Sequence, residues 1–273
     1  MTTTTDRPLA AVTETEVAPE RSVVGRLDLI LSAFAVGDRA LSLSDISHRV
    51  GLPKSTVHRL ADQLCHAGWL ERNSGGYRVG LKLLELGGVA LQRNNLREIA
   101  SRHLYPLAFK TGLSVQLAIY DQGSVVHLEQ ISMVRRDPPN RVGGREPAYC
   151  TALGKAMLAF QREAEVARVL GSLPRRTEAT ITDPRALRTE LDAVRRTNVA
   201  YDRGEAYPGV FCIASPVRSS GQAIGAVSVT GPADRLRSVS LAHDVRATAM
   251  AVWEGRSATG PFGLSRSPNS AHP

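Results

Sequence analysis

The stretch from Leu43 to Leu64 constrains the fold of this chain more than any other part of the sequence. Apolar residues recur at a helical period on both sides of Gly51-Leu52-Pro53, which predicts two short helices joined by a tight turn. We expect Ser44 to cap the first helix and Asp45 to lie in its first turn, where the helix dipole favours a negative charge. The stretch therefore predicts a helix-turn-helix unit.

The second of these helices carries an apolar stripe and a polar arc. The stripe, which must face a core, consists of Val57, Leu60, Ala61 and Leu64. The N-terminal half of the arc presents hydroxyls, a lysine, an imidazole and a guanidinium, the groups that bind phosphates and read base edges in a major groove. The candidate DNA-binding residues of this helix are Lys54, Ser55, Thr56, His58 and Arg59. An ordinary helical hairpin with a solvated polar face is the alternative interpretation.

The segments around this helix pair complete a larger pattern. Ser22 can cap an earlier helix that runs to about Ala35. Its expected buried stripe consists of Val24, Leu27, Ile30, Leu31 and Phe34. After the helix pair, two extended runs flank Asn73-Ser-Gly-Gly76, a strong hairpin signal. Three helices followed by a hairpin form a winged helix-turn-helix, in which Arg72 and Arg78 would lie near the DNA backbone or minor groove. Solvated hairpin charges are the alternative for these two arginines.

The rest of the chain predicts a linker helix and a second domain. Residues 81–94 are rich in leucine, which suits a linker helix that also packs in a dimer, and Gly87-Gly88 is a possible hinge within it. We expect helices at about 96–110, 151–160, 163–170, 184–197 and 235–253. We expect strands at about 114–120, 124–131, 200–202, 211–218 and 223–230, with a short one near residues 141–142. An antiparallel sheet with helices packed on it is an α+β architecture.

Composition and cysteine usage limit the class of protein. The 273 residues carry a formal charge of +8, which permits binding to a polyanion without proving it. The three cysteines are widely spaced and predict neither a metal site nor a disulfide framework, so a reducing cytoplasm is expected. No apolar run is long enough to span a membrane, and the N-terminus lacks a signal pattern. Residues 1–20 and 256–273 have the composition of disordered tails.

The order of motifs resembles the IclR family of bacterial transcriptional regulators. The segments that carry the resemblance are Gly51–Leu60, Tyr77–Gly87, Tyr149–Ala156, Gly209–Val217 and Gly225–Pro232. The resemblance implies a winged helix-turn-helix over residues 21–80, a linker helix over 81–94 and a GAF-like effector-binding domain over 95–255. It also implies a dimer or dimer of dimers that binds a pseudopalindromic operator in double-stranded DNA. No cofactor is expected.

The resemblance further implies an effector site in the second domain. In this sequence its positions are Ala152, Leu153, Gly154, Asp202, Cys212, Ser228 and Thr230. The first three open a helix, whose N–H groups and positive dipole end suit a carboxylate, so a small organic acid is the expected effector. Ser228 and Thr230 have the spacing that turns both hydroxyls to one face of a sheet. Asp202 could accept from a ligand hydroxyl or cap the loop that follows it.

Two other functions compete with a ligand-responsive repressor. One is an enzyme that uses Cys150 or Cys212 as a nucleophile and His127 or His243 as its base. The sequence has no local nucleophile signature, and a catalytic domain leaves the winged helix unexplained. The other is a nonspecific architectural DNA-binding protein, which leaves the large second domain unexplained. The sequence therefore favours a transcription factor that is not an enzyme.

Overall fold

The computed structural model describes residues 22–36, 40–92, 95–133, 141–236 and 239–259. The chain divides into two compact units, Met1–Val89 and Ala90–Pro273. The expected tail at residues 1–20 lies outside the described residues, as do residues 260–273 of the expected C-terminal tail. Each unit is built around its own buried core.

The first unit is a winged helix-turn-helix, as predicted. Helix α1 spans Val23–Ser32 and continues as a 3-10 turn over Ala33–Val36. Helices α2 and α3 span Leu43–Val50 and Lys54–His66. Strands β1 (Leu70–Asn73) and β2 (Gly76–Val79) form an antiparallel hairpin.

The caps of the helix pair follow local chemistry, with one difference from the prediction. Helix α2 is capped by Ser42 rather than Ser44, because Ser42 and Asp45 form a capping box. The Ser42 hydroxyl accepts from the Asp45 N–H at 3.1 Å, and the Asp45 carboxylate accepts from the Ser42 N–H at 3.0 Å. Gly51 ends the helix in the left-handed region, with φ of 69°, where glycine is least strained.

One apolar core joins the three helices to the hairpin. Its largest buried members are Ile30, Phe34, Leu41, Ile46, Val57, Leu60, Leu64, Leu70 and Tyr77. Val24 was expected in this core but is 76% exposed, and its neighbour Val23 is 59% exposed, so the first turn of α1 is not covered by the core. Leu41 exchanges two backbone hydrogen bonds of 2.8 Å with Tyr77 and so fixes the hairpin to the core. Gly76 lies at this contact with φ of 118°, and a Cβ there would be 2.3 Å from the Leu41 carbonyl oxygen.

Helix α4 spans Leu81–Gln92 and corresponds to the predicted linker. The helix is continuous through Gly87 and Gly88, where the sequence pattern loosens. Four of its large apolar side chains are exposed, from 48% at Leu86 to 72% at Leu84, with Leu81 and Val89 between them. Leu91 instead packs against the core of the second unit.

The second unit is an antiparallel six-stranded sheet with helices on both faces, in agreement with the predicted α+β class. Its strands are β3 (Ser114–Asp121), β4 (Ser124–Ile131), β5 (Arg145–Pro147), β6 (Ala200–Arg203), β7 (Phe211–Ser219) and β8 (Gln222–Gly231). They lie in the order β5-β4-β3-β8-β7-β6. Its helices are α5 (Leu96–Thr111), α6 (Ala152–Leu158), α7 (Glu163–Leu170), α8 (Pro184–Thr197) and α9 (Val239–Thr259).

The period-2 alternation of the strands supplies a core on each face of this sheet. Val227 and Val229 of β8 pack in a cluster with residues of α5 and α9. Ala226, on the opposite face, packs in a second cluster with residues of α6, α7 and α8. Small alanines on that face let α6 lie close to the sheet.

Two predicted elements are placed differently. The short strand expected near residues 141–142 is instead β5, because Arg141 and Gly144 close a turn with a 2.8 Å backbone bond before the strand begins. The last helix was expected over about 235–253 but spans Val239–Thr259, so residues 256–259 are helical rather than part of a tail. Its later start follows from Arg235, whose N–H bonds to the Pro232 carbonyl in a turn.

Candidate DNA-binding surface and effector pocket

The polar arc of α3 forms the outer surface of the first unit. Lys54, Ser55, His58 and Arg59 are exposed, and Thr56 is half-buried. The opposite stripe of the helix is buried, which fixes the rotation of α3 and leaves the five candidate side chains facing outward. The N-terminal end of α3 therefore presents hydroxyl and cationic groups together.

The cationic side chains on this surface of α3 differ in whether they form ion pairs with acidic residues. His58 Nδ1 lies 3.1 Å from Asp62 Oδ2, one turn further along the helix. Among the described residues, Lys54 and Arg59 form no ion pair. These two side chains can therefore bind phosphates or bases without first losing a carboxylate partner.

The two wing arginines are held by acidic groups. Arg78 Nε lies 2.8 Å from Glu71 Oε2, and Glu71 and Arg78 are register partners across the hairpin. Arg72 lies 3.9 Å from Asp62 and stacks over the Tyr77 ring at 5.5 Å. Neither partner was anticipated, although Glu71 and Arg78 are equidistant from the hairpin turn and a register assignment would have paired them. Glu71 therefore competes with any other acceptor for Arg78.

The predicted effector positions on α6 are shaped by a tight helix start. The Thr151 hydroxyl caps α6 by accepting from the Gly154 N–H at 3.1 Å and donates to the Pro147 carbonyl at 3.1 Å. Gly154 packs so closely that a Cβ there would be 2.3 Å from the Ala148 carbonyl oxygen. The N–H groups of Ala152 and Leu153 lie in the first turn and have no acceptor within the helix.

These groups line a small cavity in the second unit. The cavity measures about 20 Å³ and is lined by Gln116, Glu146, Thr151, Ala152, Leu153, Asp202, Ala206, Tyr207, Val210, Cys212 and Ser228. Five of the seven predicted positions are therefore brought together. Gly154 does not line the cavity because its N–H is used by the cap. Thr230 lies behind it, with its hydroxyl 3.1 Å from the Cys212 sulfur.

Several polar groups of this cavity were missed by the sequence analysis. The Ser228 hydroxyl donates to Gln116 Oε1 at 3.2 Å, and the two residues are register partners on β8 and β3. Glu146 lies 2.9 Å from His127 Nε2, and both side chains are buried. Burial and the hydrogen bond to Glu146 raise the pKa of the Tyr207 hydroxyl. The pairing of the predicted strands β3 and β8 could have indicated that Gln116 lies beside Ser228. Glu146 could not be found in this way, because it lies on β5, the strand that the sequence analysis placed near residues 141–142.

Asp202 lies in the wall of the cavity with 3% of its surface exposed. Its carboxylate accepts from the Glu205 N–H at 2.7 Å, so the loop-capping alternative is observed. Burial, together with the negative charge of Glu205, raises the pKa of Asp202 to about 7. Below about pH 7 this carboxyl is therefore mostly protonated, and the protonated form can donate a hydrogen bond to an anionic ligand.

A buried ion pair supports the same wall. Lys155 is fully buried, and its Nζ lies 2.7 Å from Glu205 Oε1 and 3.3 Å from Glu190 Oε1. The Glu205 carbonyl also accepts from the Thr180 hydroxyl at 2.8 Å. The loop from Asp202 to Tyr207 is therefore held by Lys155 of α6 and by Thr180 in the segment before α8. Lys155 belongs to the Thr-Ala-Leu-Gly-Lys motif, which was the available signal for its importance.

The cysteines do not have the properties of nucleophiles. Burial raises the pKa of Cys150 to about 12 and also raises the pKa of Cys212. Catalytic thiols need the opposite shift, because the thiolate is the reactive form. Among the described residues there is no group of three or more histidine, cysteine or acidic side chains that could hold a metal ion. No helix in the described ranges has the length and apolar character of a membrane span.

Both units of the chain match domains of known proteins. The family profile described as IclR helix-turn-helix domain matches residues 23–74. The profile described as bacterial transcriptional regulator IclR C-terminal matches residues 88–253. The HTH-type transcriptional regulator KdgR of Escherichia coli (strain K12) is 35% identical over 201 residues, which cover 71% of this chain and 76% of that protein.

Solved structures show the same architecture. An IclR homolog from Microbacterium hydrocarbonoxydans complexed with 4-hydroxybenzoate is 32% identical with a TM-score of 0.73, covering 84% of this chain and 97% of that one. The Thermotoga maritima IclR is 28% identical with a TM-score of 0.65, covering 84% and 96% of the two chains. The profile matches, the sequence identity and the shared architecture lead to one conclusion: this chain belongs to the IclR family of bacterial transcriptional regulators, and it is not an enzyme.

Proposed function

We propose that this regulator is a repressor whose operator affinity is controlled by a small organic acid bound in the second unit. The main support for the DNA-binding part of this proposal is the outer face of α3. There Lys54 and Arg59 project without ion-pair partners among the described residues. Ser55, Thr56 and Arg59 would lie deepest in the major groove, and Lys54 and His58 would contact its flanks. Arg72 and Arg78 would contact the backbone from the wing.

The effector half is supported by the chemistry of the small cavity. The first-turn N–H groups of Ala152 and Leu153, together with a neutral Asp202 carboxyl, can donate hydrogen bonds to a ligand carboxylate. Ser228, Cys212 and Thr230 would form the opposite wall, with Gly154 supporting the helix start. The 4-hydroxybenzoate bound by the Microbacterium relative is an acid of this class. We infer that an aromatic or other organic acid is the effector.

Effector binding on this proposal requires the cavity to open. Ligand sites usually measure about 300–1,000 Å³, whereas this cavity measures about 20 Å³. Tyr207 and Val210 lie on the loop between β6 and β7, which includes left-handed Gly204 and Gly209. Movement of residues 207–210, which follow the part of the loop held by Lys155 and Thr180, is the proposed route from the closed to the bound state. It gives the two protein states that effector control requires.

We further propose that residues 81–94 act as the linker between a DNA-binding domain (21–80) and an effector domain (95–255). The exposed leucines of α4 are suited to packing against a second copy, so a dimer or dimer of dimers would present two recognition helices to a pseudopalindrome. The protein would act in the cytoplasm, where its DNA target lies.

DNA footprinting of the region beside the protein's own gene tests the proposal. We expect a salt-dependent, sequence-preferring footprint that Arg59→Ala abolishes and that an acid such as 4-hydroxybenzoate weakens. Gln63→Ala, an exposed change one turn further along α3, is the matched control and should leave the footprint intact. Asp202→Ala should keep the footprint but remove the response to the acid. A footprint that is absent at every salt concentration, or that Arg59→Ala leaves unchanged, would reject this assignment.

A further inference from the structure

A second cavity in the effector unit lies at the open edge of strand β7. Strand β6 begins at Ala200, which pairs with Ala214, so residues 215–219 of β7 have β8 on one side and no strand on the other within the described ranges. Helix α9 passes beside this edge. The resulting cavity measures about 320 Å³ and is lined by Asn198, Ser215, Pro216, Arg218, Ser220, Gly221, Arg246, Ala249, Met250 and Trp253.

This cavity shares no lining residue with the proposed effector pocket. Its volume falls in the range of about 300–1,000 Å³ that is usual for small-molecule sites, whereas the effector pocket measures about 20 Å³. The open cavity is therefore large enough to accept a small ligand.

The charges around the cavity are of one sign. Arg218 and Arg246 both line it, and no acidic side chain does. Neither arginine forms an ion pair among the described residues, although many other arginines of this unit do, such as Arg168 with Glu165. Two guanidinium groups without carboxylate partners create a positive potential that attracts an anion.

Arg218 is held in place by neutral groups. Its Nη1 donates to Asn198 Oδ1 at 3.0 Å, and its guanidinium carbon lies 4.2 Å from the centre of the Phe160 ring. These contacts fix the side chain without neutralising its charge. A ligand would therefore meet a pre-positioned cation, which lowers the entropy cost of binding.

The remaining wall is apolar and exposed. Met250 is 59% exposed and Trp253 is 39% exposed, although both are large apolar side chains. They lie three residues apart on α9, on the same side of the helix as Arg246. An aromatic body stacked against Trp253 would cover this surface while its anionic group approaches the arginines.

We propose that the cavity between α9 and the open edge of β7 is a second ligand site, which binds a small anion with an aromatic body, such as an aromatic carboxylate. This site is separate from the proposed effector pocket and does not depend on it. Occupation of the two sites can be measured independently, because only the second one contains a tryptophan.

The test uses the full-length protein labelled with 5-fluorotryptophan and titrated with benzoate. The chain has two tryptophans, Trp69 and Trp253, so the fluorine spectrum has one reporter in the cavity and an internal control in the first unit. We expect a saturable shift of the Trp253 resonance and an unchanged Trp69 resonance. Benzyl alcohol, which has the same ring without the charge, should shift the Trp253 resonance only at much higher concentration.

Arg246→Gln should weaken benzoate binding at this site by about tenfold or more, because a charge-assisted hydrogen bond is lost. Arg102→Gln, an exposed change on α5, is the matched control and should not weaken it. Asp202→Ala, which removes a proposed effector contact, should leave the Trp253 shift unchanged. Equal affinity in Arg246→Gln, equal affinity for benzyl alcohol, or no saturable shift up to about 10 mM benzoate would overturn the proposal. Loss of the shift in Asp202→Ala would also overturn it, since the shift would then originate in the effector pocket.

Discussion

Lys155→Met is expected to destabilise the second unit strongly, because it leaves the buried carboxylate of Glu205 without its cationic partner. The Lys155 ammonium is fully buried and lies 2.7 Å from the carboxylate of Glu205, which is 2% exposed. Its second partner, Glu190, lies at 3.3 Å and has 23% of its side chain exposed, so water can solvate it. Removal of the lysine therefore leaves one buried carboxylate, that of Glu205, without a counter-charge. Breaking a buried pair in this way costs about 3–5 kcal/mol.

The double variant separates this cause from simple loss of packing. In Lys155→Met with Glu205→Gln neither charge of this buried pair remains, and the glutamine oxygen can still accept from the Arg203 N–H, which lies 3.4 Å from Glu205 Oε1. We expect the second substitution to restore most of the free energy of unfolding, because replacing both members of a buried pair is often close to neutral. Urea unfolding followed by Trp253 fluorescence in a Trp69→Phe background reports on the second unit alone.

Lys110→Met is the control for loss of a lysine ion pair at the surface. Lys110 lies 2.7 Å from Asp244 but is 65% exposed, and such pairs contribute at most about 1 kcal/mol. If Lys155→Met costs no more than this control, or if adding Glu205→Gln recovers nothing, the buried charge of Glu205 is not the cause and the reasoning fails.

Three further predictions concern pH, the wing and the linker. The pKa of Asp202 is raised to about 7 in the folded state. Its contribution to the free energy of unfolding is therefore present at low pH and lost as the pH rises through 7. Between pH 5 and pH 8, Asp202→Asn should become more stable relative to the parent by about 2 kcal/mol. Urea midpoints at the two pH values measure this, and a difference that does not change with pH would contradict it. Arg78→Gln should remove the proposed phosphate contact and make the slope of log affinity against log salt shallower by about 0.9. Binding assays across a salt series check this, and an unchanged slope would show that Arg78 does not contact phosphate. A Cβ at Gly87 or Gly88 would meet nothing within 4 Å, so each change to alanine should stabilise the helix by about 1 kcal/mol. If the two glycines form the hinge, the double alanine variant should also show a smaller effect of the effector on DNA affinity. Full retention of the effector response would exclude the hinge.

The local elements of this protein could be predicted from the sequence with good accuracy. Strand β4 and helix α8 lie at the residues predicted, because an alternating pattern and a Pro-led capped helix depend only on neighbours in the chain. The wing was predictable for the same reason, since its two-residue turn lies between two extended runs. Errors occurred where two local signals compete: Ser42 and Ser44 are both good caps, and only the reciprocal bonds with Asp45 select Ser42.

The two candidate sites differ in how much of them could be predicted from local sequence patterns. The outward face of α3 follows from the helical period alone, because burying one stripe necessarily exposes the other. The state of the effector pocket depends on pairs that are distant in sequence: Lys155 with Glu205 is separated by 50 residues, and Gln116 with Ser228 by 112. Local patterns carry no information about such pairs. The sequence by itself therefore determined which groups of α3 face outward and which segments form the second unit. Only the tertiary structure decided the raised pKa of Asp202, the closed state of the proposed effector pocket and the open cavity beside Trp253, because burial and the proximity of distant charges arise only when the sheet is assembled.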